Sequence, residues 1–379
     1  MTGWFVHFFW GSEGNSKKIH FVNWNSILAF LNKGGLGIGS LKAFNCSLLS
    51  KWIWRSMHSV GSTWVNLLKS IHGENIGLDS HGCKTNGLWA AIVFNFRKCQ
   101  ELGVSLVRKV GNGCNTRFWK DLWLGPDTLA SRFNRLYRLE LSPDCTVNDR
   151  LSGPAWNWSR TPSGTCHFES LAAELQAVVL NNEEDRWVWV LHEDDCFSVK
   201  RTREFLDNLF LPSRDQPTWW LKNIPIKVNV FMWRLHLDRF PSRCNLSARG
   251  IDIESIICPI FLSRSETRDH TFLSCNVVNA LWNRIRIWMD PQWPTFSTLD
   301  ELFTWIYSRS IYSSSSVRIL CIISATLWWI WRLRNDILFA SNRIRKEELF
   351  DFIRLFSFLW VKSRSKFAPS WNFWLCNPL

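Results

Sequence analysis

Two cysteines and one histidine stand at the spacing of a zinc module. Cys258 opens the stretch Cys-Pro-Ile-Phe, His270 follows after residues 262–269, and Cys275 follows after residues 271–274. A structural zinc ion takes four Cys or His ligands in a tetrahedron, and a Cys-x-x-Cys pair usually supplies two of them from one tight turn. Here the last residue of that turn is Phe261, which cannot coordinate a metal. Three metal ligands therefore remain in the pattern.

Two other interpretations of this triad stay open on spacing alone. Three protein ligands with water in the fourth position are the geometry of a catalytic zinc, but no set of positioned carboxylates accompanies them. Alternatively, the two cysteines and the histidine are buried residues of a packed segment, as free cysteine commonly is.

The residues on both sides of the triad match one family in order. They are Pro225, Lys227, Phe231, Trp233, Arg234, Asp238, Arg239, Phe240, Pro241, Asn245, Leu246, Arg249, Gly250, Cys258, Pro259, Glu266, His270, Phe272, Cys275 and Trp282. This set closely resembles the reverse-transcriptase zinc-binding domain of plant non-LTR (LINE-type) retrotransposons, in which the position of Phe261 is normally a cysteine. The resemblance implies the ligands Cys258, His270 and Cys275, with Phe261 replacing the usual fourth ligand. Zinc is then the implied cofactor, bound weakly or not at all.

Similar matches continue along most of the chain. The segment after the polymerase palm in these elements is similar to residues 8–11, 17–20, 24, 34–38, 45, 48–49 and 51–55 of this chain. The connecting region is similar to residues 111–113, 118–123, 187 and 197–200. The helix before the ribonuclease H region is similar to residues 328–331 and 334–335. The resemblance implies a thumb-like helical region (1–75), a connecting region with β-hairpins (76–215), the zinc-binding domain (216–292) and a C-terminal helical region (293–379). We therefore expect the C-terminal part of a retrotransposon reverse transcriptase.

Polymerase chemistry requires carboxylates that hold two magnesium ions. In the family these stand on an aromatic-x-Asp-Asp turn, upstream of the residues matched here. The nearest match is Asp194-Asp195, but His192 and Glu193 precede it. Alternating runs at 187–190 and 197–199 around this acidic stretch predict a β-hairpin with a solvated turn. We therefore expect no catalytic residues in this chain and no polymerase activity of its own.

Charge divides the chain into three parts. Lys and Arg number 14 against 5 Asp and Glu in residues 1–125, 10 against 15 in 126–215, and 21 against 12 in 216–379. Basic ends separated by an acidic middle suit a protein whose ends approach phosphates. Surface solvation by scattered basic residues is the alternative, because no dense Lys/Arg cluster is present.

Apolar periodicity predicts the main helices and an α+β fold, in which mainly helical N- and C-terminal modules flank a smaller β-containing middle region. Residues 41–56 place Phe44, Leu48, Leu49, Trp52 and Ile53 on one face. A helix opened by Pro225 buries Val228, Phe231, Met232 and Leu235, and a helix after Cys275 buries Val278, Leu281, Trp282, Ile285 and Trp288. The opposite faces carry the cations that we expect to contact phosphate, namely Lys227, Arg234, Arg284 and Arg286. Residues 111–113 are predicted to form a turn.

Cysteine usage and hydropathy indicate a compartment. The 12 cysteines lack the dense spacing of a secreted disulfide scaffold, which favours a reducing environment. No N-terminal signal peptide is recognisable, and the longest uncharged run, residues 319–331, is shorter than the ~20 residues that cross a bilayer. We expect that run to be a buried helix, and the 26 tryptophans to be mainly core residues. We also expect the protein to be intracellular, in the nucleus or cytoplasm, without a membrane partner.

Three classes of function follow. The first is a nucleic-acid-binding accessory region, which holds RNA or DNA near a reverse transcriptase core supplied in trans. The second is a truncated retroelement relic without a biochemical role, and the third is a host-recruited interaction protein. Salt-dependent binding to RNA or DNA distinguishes the first from the other two, because phosphate neutralisation makes affinity fall steeply with salt.

Overall fold

A computed structural model describes residues 19–378 apart from 60, 74–75, 79–82, 84–85, 104, 126, 153–154, 157–165, 192, 291, 309–313, 340–343, 365–368 and 377. The sequence matches at 8–11 and 17–18 lie outside the described residues. The chain divides into two compact units: the C-terminal unit, residues 1–38 together with 213–379, and the central unit, residues 39–212. The four regions implied by the resemblance concern ancestry and stay a prediction.

Helices dominate the described residues. In chain order they are α1 (Trp24–Leu28), α2 (Leu41–His58), α3 (Thr63–His72), α4 (Leu88–Lys98), α5 (Gln100–Gly103), α6 (Leu129–Arg132), α7 (Asn134–Arg138), α8 (Cys166–Leu175), α9 (Val199–Phe210), α10 (Ile226–His236), α11 (Arg243–Ser247), α12 (Asn276–Met289), α13 (Leu299–Tyr307), α14 (Ser314–Leu338), α15 (Leu349–Arg364) and α16 (Trp371–Cys376). The strands are β1 (Leu106–Lys109), β2 (Leu151–Ser152), β3 (Ala155–Trp156) and β4 (Arg186–Trp189), all in the central unit. The predicted mainly helical α+β fold is confirmed.

The sheet of the central unit corrects one prediction. Strand β4 pairs antiparallel with β1, in the register Leu106 with Trp189 and Lys109 with Arg186, and not with residues 197–199. Val199 instead begins helix α9. The predicted hairpin is therefore wrong at this place, although the acidic stretch does form a turn, in which Asp195 adopts a φ of 55° and its carbonyl accepts the Trp189 N–H at 2.9 Å.

The buried face of α2 also differs from the prediction. Phe44, Leu48 and Trp52 are exposed, whereas Ala43, Ser47, Ser50, Ile53 and Ser56 are buried. The small residues allow α9 to pack closely against α2. Their hydroxyl groups cost little when buried, because Ser47 Oγ donates to the Ala43 carbonyl and Ser50 Oγ to the Cys46 carbonyl, both at 2.8 Å.

Helix α14 forms the centre of the C-terminal unit. Its stretch Ser315–Leu338 is long and apolar enough to cross a membrane, judged by length and composition alone. The helix is therefore longer than the uncharged run 319–331 indicated. However, 78% of its most apolar part is buried inside the protein. Trp329 of α14 stacks on Phe352 of α15 at 4.7 Å, and Trp328 meets Phe231 of α10 edge to face at 5.4 Å. These contacts confirm the prediction of a buried helix.

The predicted turn at 111–113 is built around one carboxylate. Asp185, only 7% exposed, accepts the N–H groups of Gly111 at 2.7 Å and Gly113 at 2.9 Å. It also accepts hydrogen bonds from the Asn115 N–H at 2.9 Å and from the Thr116 hydroxyl at 2.8 Å. Gly113 has a φ of 74°, and a Cβ on Gly111 would lie 2.2 Å from the Glu183 carbonyl oxygen, so both glycines are required.

Replacing Asp185 with asparagine should lower the free energy of unfolding by about 2–3 kcal/mol at neutral pH, because N–H donors lose a charged acceptor. Burial alone would raise the pKa of Asp185, but the donors from Gly111, Gly113, Thr116 and Asn115 together hold it below its ordinary value. The wild-type advantage is therefore complete above the unfolded pKa of about 3.9 and is lost as the pH falls through the folded pKa. Urea unfolding of both proteins at pH 7 and at pH 3 measures this; an equal difference at both pH values would contradict it.

Candidate metal centre

Cys258 lies at the base of a tight loop. Ile257 and Ser265 form an antiparallel bridge, and the Cys258 N–H donates to the Arg264 carbonyl at 2.7 Å. The Leu262 N–H returns to the Cys258 carbonyl at 2.9 Å, with Leu262 in the left-handed region at a φ of 54°. This loop turns the chain around the Cys258 side chain, as a Cys-x-x-Cys turn does around a metal.

His270 and Cys275 come from the element that follows the loop. The chain from His270 to Ser274 forms one turn of π-helix, closed by the Cys275 N–H donating to the His270 carbonyl at 2.8 Å. Single π-turns are rare in proteins, and those that occur are frequently found at functional sites. Cys275 is the N-cap of α12, so its sulfur lies beside the free N–H groups of a helix N-terminus.

The loop and the π-turn bring the three predicted ligands together. One ligand atom of each of Cys258, His270 and Cys275 lies within 4.8 Å of the others, and all three residues are buried. Among the described residues this is the only group of three or more His, Cys, Asp or Glu side chains arranged in this way. Neither ring nitrogen of His270 makes a well-formed hydrogen bond to a described residue outside the triad, and within the triad the ring lies beside the Cys258 sulfur. A buried imidazole with so few partners is costly, and a metal ion would satisfy it, so this donor set fits zinc.

The two thiols of the site interact through a hydrogen bond between their sulfur atoms. A hydrogen bond from Cys275 lowers the pKa of Cys258, helped by the N–H groups of Phe261 and Ile260 and opposed by burial. The same hydrogen bond, together with burial, raises the pKa of Cys275, whose sulfur also faces the N–H groups of Val278 and Val277. A divalent ion bound here would displace the thiol protons and leave two thiolates, which is the form that binds zinc.

Neither Phe261 nor the two carboxylates between Cys258 and His270, Glu266 and Asp269, supplies a fourth ligand. The side chain of Phe261 protrudes and is 42% exposed. Glu266 is fully buried but accepts Arg334 Nε at 2.6 Å, Arg334 Nη2 at 2.8 Å and the Arg243 N–H at 2.6 Å. Asp269 accepts the Leu299 N–H of helix α13 at 2.9 Å. Both carboxylates are therefore occupied by protein donors.

The ion pair of Glu266 and Arg334 is a part of this site that the sequence did not reveal. Arg334 comes from the core helix α14 and also donates to the Pro241 carbonyl at 3.2 Å. Glu266 stands in the segment between Cys258 and His270, so the pair ties this segment to the core of the unit. The only signal in the sequence was that both residues belong to the family matches, which carries no information about pairing.

The four predicted phosphate contacts differ in exposure. Lys227 and Arg284 are exposed, the first over the Trp328 ring at 5.8 Å and the second over the Phe350 ring at 4.5 Å. Arg286 is half-buried. Arg234 is also half-buried, with Nε donating to the Arg239 carbonyl at 3.2 Å and a pKa lowered by burial. Lys227 and Arg284 are thus the more accessible, and phosphate contact by all four stays a prediction.

Positive charge is concentrated on one unit. The C-terminal unit carries 25 Lys and Arg against 14 Asp and Glu, a balance of +11, and the central unit carries 20 against 18. The basic N-terminal third of the sequence is divided between the units: residues 39–125 lie in the almost neutral central unit, which also contains most of the acidic middle of the chain. The candidate metal centre and all four predicted phosphate contacts belong to the basic unit.

Comparison with known proteins finds a family model that covers the candidate metal centre. Residues 197–282 match the family model described as zinc-binding in reverse transcriptase, and this range contains Cys258, His270 and Cys275. No solved structure matches the chain.

Two proteins of Arabidopsis thaliana are similar to the chain. One, named "Putative ribonuclease H protein", is 26% identical over 352 residues, which are 88% of this chain and 55% of the relative. The other, named "Uncharacterized mitochondrial protein", is 29% identical over 131 residues, 34% of this chain and 83% of the relative. The chain thus spans about half the length of the first relative.

Proposed function

We propose, on the premise that residues 197–282 belong to the zinc-binding family of reverse transcriptases, that this chain is a nucleic-acid-binding accessory region of a LINE-type retrotransposon reverse transcriptase. It would hold RNA or DNA for a polymerase core supplied in trans. The observation that carries the proposal is the buried group of Cys258, His270 and Cys275 within a unit of net charge +11.

Zinc would have a structural role in this proposal. Cys258, His270 and Cys275 would hold the ion, which joins the loop after Cys258 to the N-terminus of α12. Phe261 contributes no ligand, so we propose that the site is degenerate and binds zinc less tightly than a four-ligand site does.

Catalysis is not part of the proposed role. Asp194 and Asp195 stand on a turn and face cations, with Asp194 2.9 Å from Arg201 and Asp195 3.6 Å from Arg186. One relative carries a ribonuclease H name, so primer extension and hydrolysis of an RNA–DNA hybrid should both be measured. We expect neither activity. Either activity in the unmodified chain would contradict this, and its loss in Asp194→Ala would assign it to the acidic turn.

The accessible cations provide the test of nucleic-acid binding. Replacing Lys227 and Arg284 together with alanine should weaken binding to duplex DNA and reduce the slope of log K against log salt by about 0.9 per lost phosphate contact. Titrations between 50 and 200 mM salt, roughly the range over which such effects are large, measure it. The matched control replaces two exposed lysines of the central unit, Lys51 and Lys98, with alanine.

The outcomes of these titrations separate the hypotheses. A reduced slope for the Lys227/Arg284 variant and an unchanged slope for the control support the proposal. A reduced slope for the control alone would move the contact surface to the central unit. Absence of binding by the unmodified chain at low salt would contradict the proposed function and favour a relic or a protein-interaction role.

A further inference from the structure

The C-terminal unit contains an aromatic cleft away from the candidate metal ligands. Its volume is about 260 Å³, and it is lined by Trp219, Trp233, His236, Phe303 and Tyr307, with residues 214–218 and Gly34 along its rim. We infer that this cleft, here called the aromatic cleft, binds one unstacked base of single-stranded nucleic acid, with the adjacent phosphate on Arg214. This inference rests on the proposed function and adds a site to it.

The rim of the aromatic cleft is built by two chain segments held together through backbone groups. The Arg214 N–H donates to the Lys33 carbonyl at 3.2 Å, and the Thr218 N–H donates to the Leu31 carbonyl at 2.6 Å. Gly34, at a φ of 77°, permits this approach, since a Cβ there would lie 3.0 Å from Arg214 Cβ. The rim is therefore formed in the free protein, as ligand sites usually are.

The floor of the aromatic cleft consists of rings from two helices. His236 of α10 meets Phe303 of α13 edge to face at 4.8 Å and Tyr307 at 5.7 Å. Tyr307 Oη donates to the Pro217 carbonyl at 2.9 Å, which fixes its ring against the rim. His236 and Tyr307 are only half-buried, so their rings are the ones that an incoming group can reach. Such rings are stacking surfaces for bases of any sequence.

Charge favours a nucleotide over other flat or cage-filling ligands. An aromatic cage also attracts quaternary ammonium groups. The rim carries one guanidinium, Arg214, and one carboxylate, Asp215, while the whole unit is at +11. That field attracts a phosphate and repels an ammonium ion. The small volume admits a single base that has left its stack, and paired bases of a duplex stay inside the helix.

The first measurement uses the unmodified chain and 5-fluorouridine 5′-monophosphate, observed by fluorine NMR. We expect the fluorine resonance to broaden with the unmodified chain and with Tyr307→Phe, which keeps the ring. Broadening should be lost with Tyr307→Leu, which removes it, and weakened with Arg214→Ala at an exposed rim position. An unbroadened resonance with the unmodified chain overturns the inference, as does preferential competition by trimethyllysine.

The second measurement compares an eight-residue oligouridine with a duplex of eight base pairs. Tyr307→Leu should weaken oligouridine binding about tenfold and leave duplex binding unchanged, since stacking of one base is lost. Equal binding of oligouridine by Tyr307→Leu and Tyr307→Phe overturns the inference while the salt-dependent duplex binding still stands. If the proposed function fails instead, the unmodified chain binds neither polymer, and the mononucleotide experiment still decides the aromatic cleft.

Discussion

Replacing Phe261 with cysteine is expected to raise the zinc content of the purified chain from well below one to about one ion per chain, because structural sites take four protein ligands. The loop that presents this position already has the required turn, with the Leu262 N–H bonded to the Cys258 carbonyl at 2.9 Å. The Phe261 side chain is 42% exposed, so its removal costs little packing. Zinc affinity should increase by more than about 100-fold. Changing a residue that only hydrogen-bonds to a metal ligand already alters affinity by up to about 100-fold, and a new direct ligand has a larger effect.

Metal analysis of protein purified without added zinc, followed by competition with a chelating indicator, measures this change. Phe261→Ala is the matched control, since it removes the same ring without adding a thiolate. The cysteine variant should also melt at a higher temperature in the presence of zinc, because a ligand that binds only the folded state stabilises it. Full zinc occupancy before any substitution would show that another group completes the site.

Replacing Arg334 with methionine is expected to lower the free energy of unfolding by about 3–5 kcal/mol, because it leaves a buried carboxylate without its partner. The Glu266 side chain has no exposed surface and the Arg334 side chain has 4%. After the substitution, only the Arg243 N–H of the donors described here would remain on Glu266. The segment between Cys258 and His270 should lose its attachment to α14, so zinc affinity should fall as well.

A double-mutant cycle with Glu266→Met separates the ion pair from general packing. The double variant should be more stable than Arg334→Met alone, since no unpaired buried charge remains. Arg201→Met is the matched control at the exposed pair of Arg201 with Asp194, both 52% exposed, and should cost less than about 1 kcal/mol. Chemical denaturation measures all of these variants. A loss for Arg334→Met as small as that of the control would mean that the pair does not stabilise the unit.

The helices around the candidate metal centre were predictable because one face of each is apolar and the other polar. Val228, Phe231, Met232 and Leu235 of α10 are buried, as the periodicity predicts. In α12 the residues buried are Val278, Leu281, Ile285 and Met289, whereas Trp282 and Trp288 are half-buried. Helix α2 was predictable as a helix, but its buried face was not. Apolar residues occur on both sides of α2, and the face with small residues is buried because α9 packs closely against it.

Strand pairing was less accessible to sequence reasoning than helix position. The alternation at 187–190 indicated a strand correctly, and the nearest alternating run suggested a hairpin partner. The actual partner β1 lies about eighty residues earlier in the chain, and a pattern of period two contains no information about which distant strand supplies the hydrogen bonds. The side chain of Phe197 reaches the same core as the strand by packing on Trp189 at 4.8 Å, without being a strand residue.

The amino-acid sequence by itself determined the resemblance of the segment around Cys258 to the reverse-transcriptase zinc-binding family, the mainly helical fold and the identity of the three candidate ligands. These features depend on local periodicity and on spacing along the chain. One tight loop and the start of one helix are enough to bring the three candidate ligands together. Only the tertiary structure decided that Phe261 protrudes, that Glu266 belongs to Arg334, that positive charge is concentrated on the C-terminal unit, and that five aromatic residues line one cleft. The last three bring together residues that are distant in the chain, and the exposure of Phe261 depends on how its loop lies in the folded unit; packing, burial and charge pairing over the whole unit select all of these features.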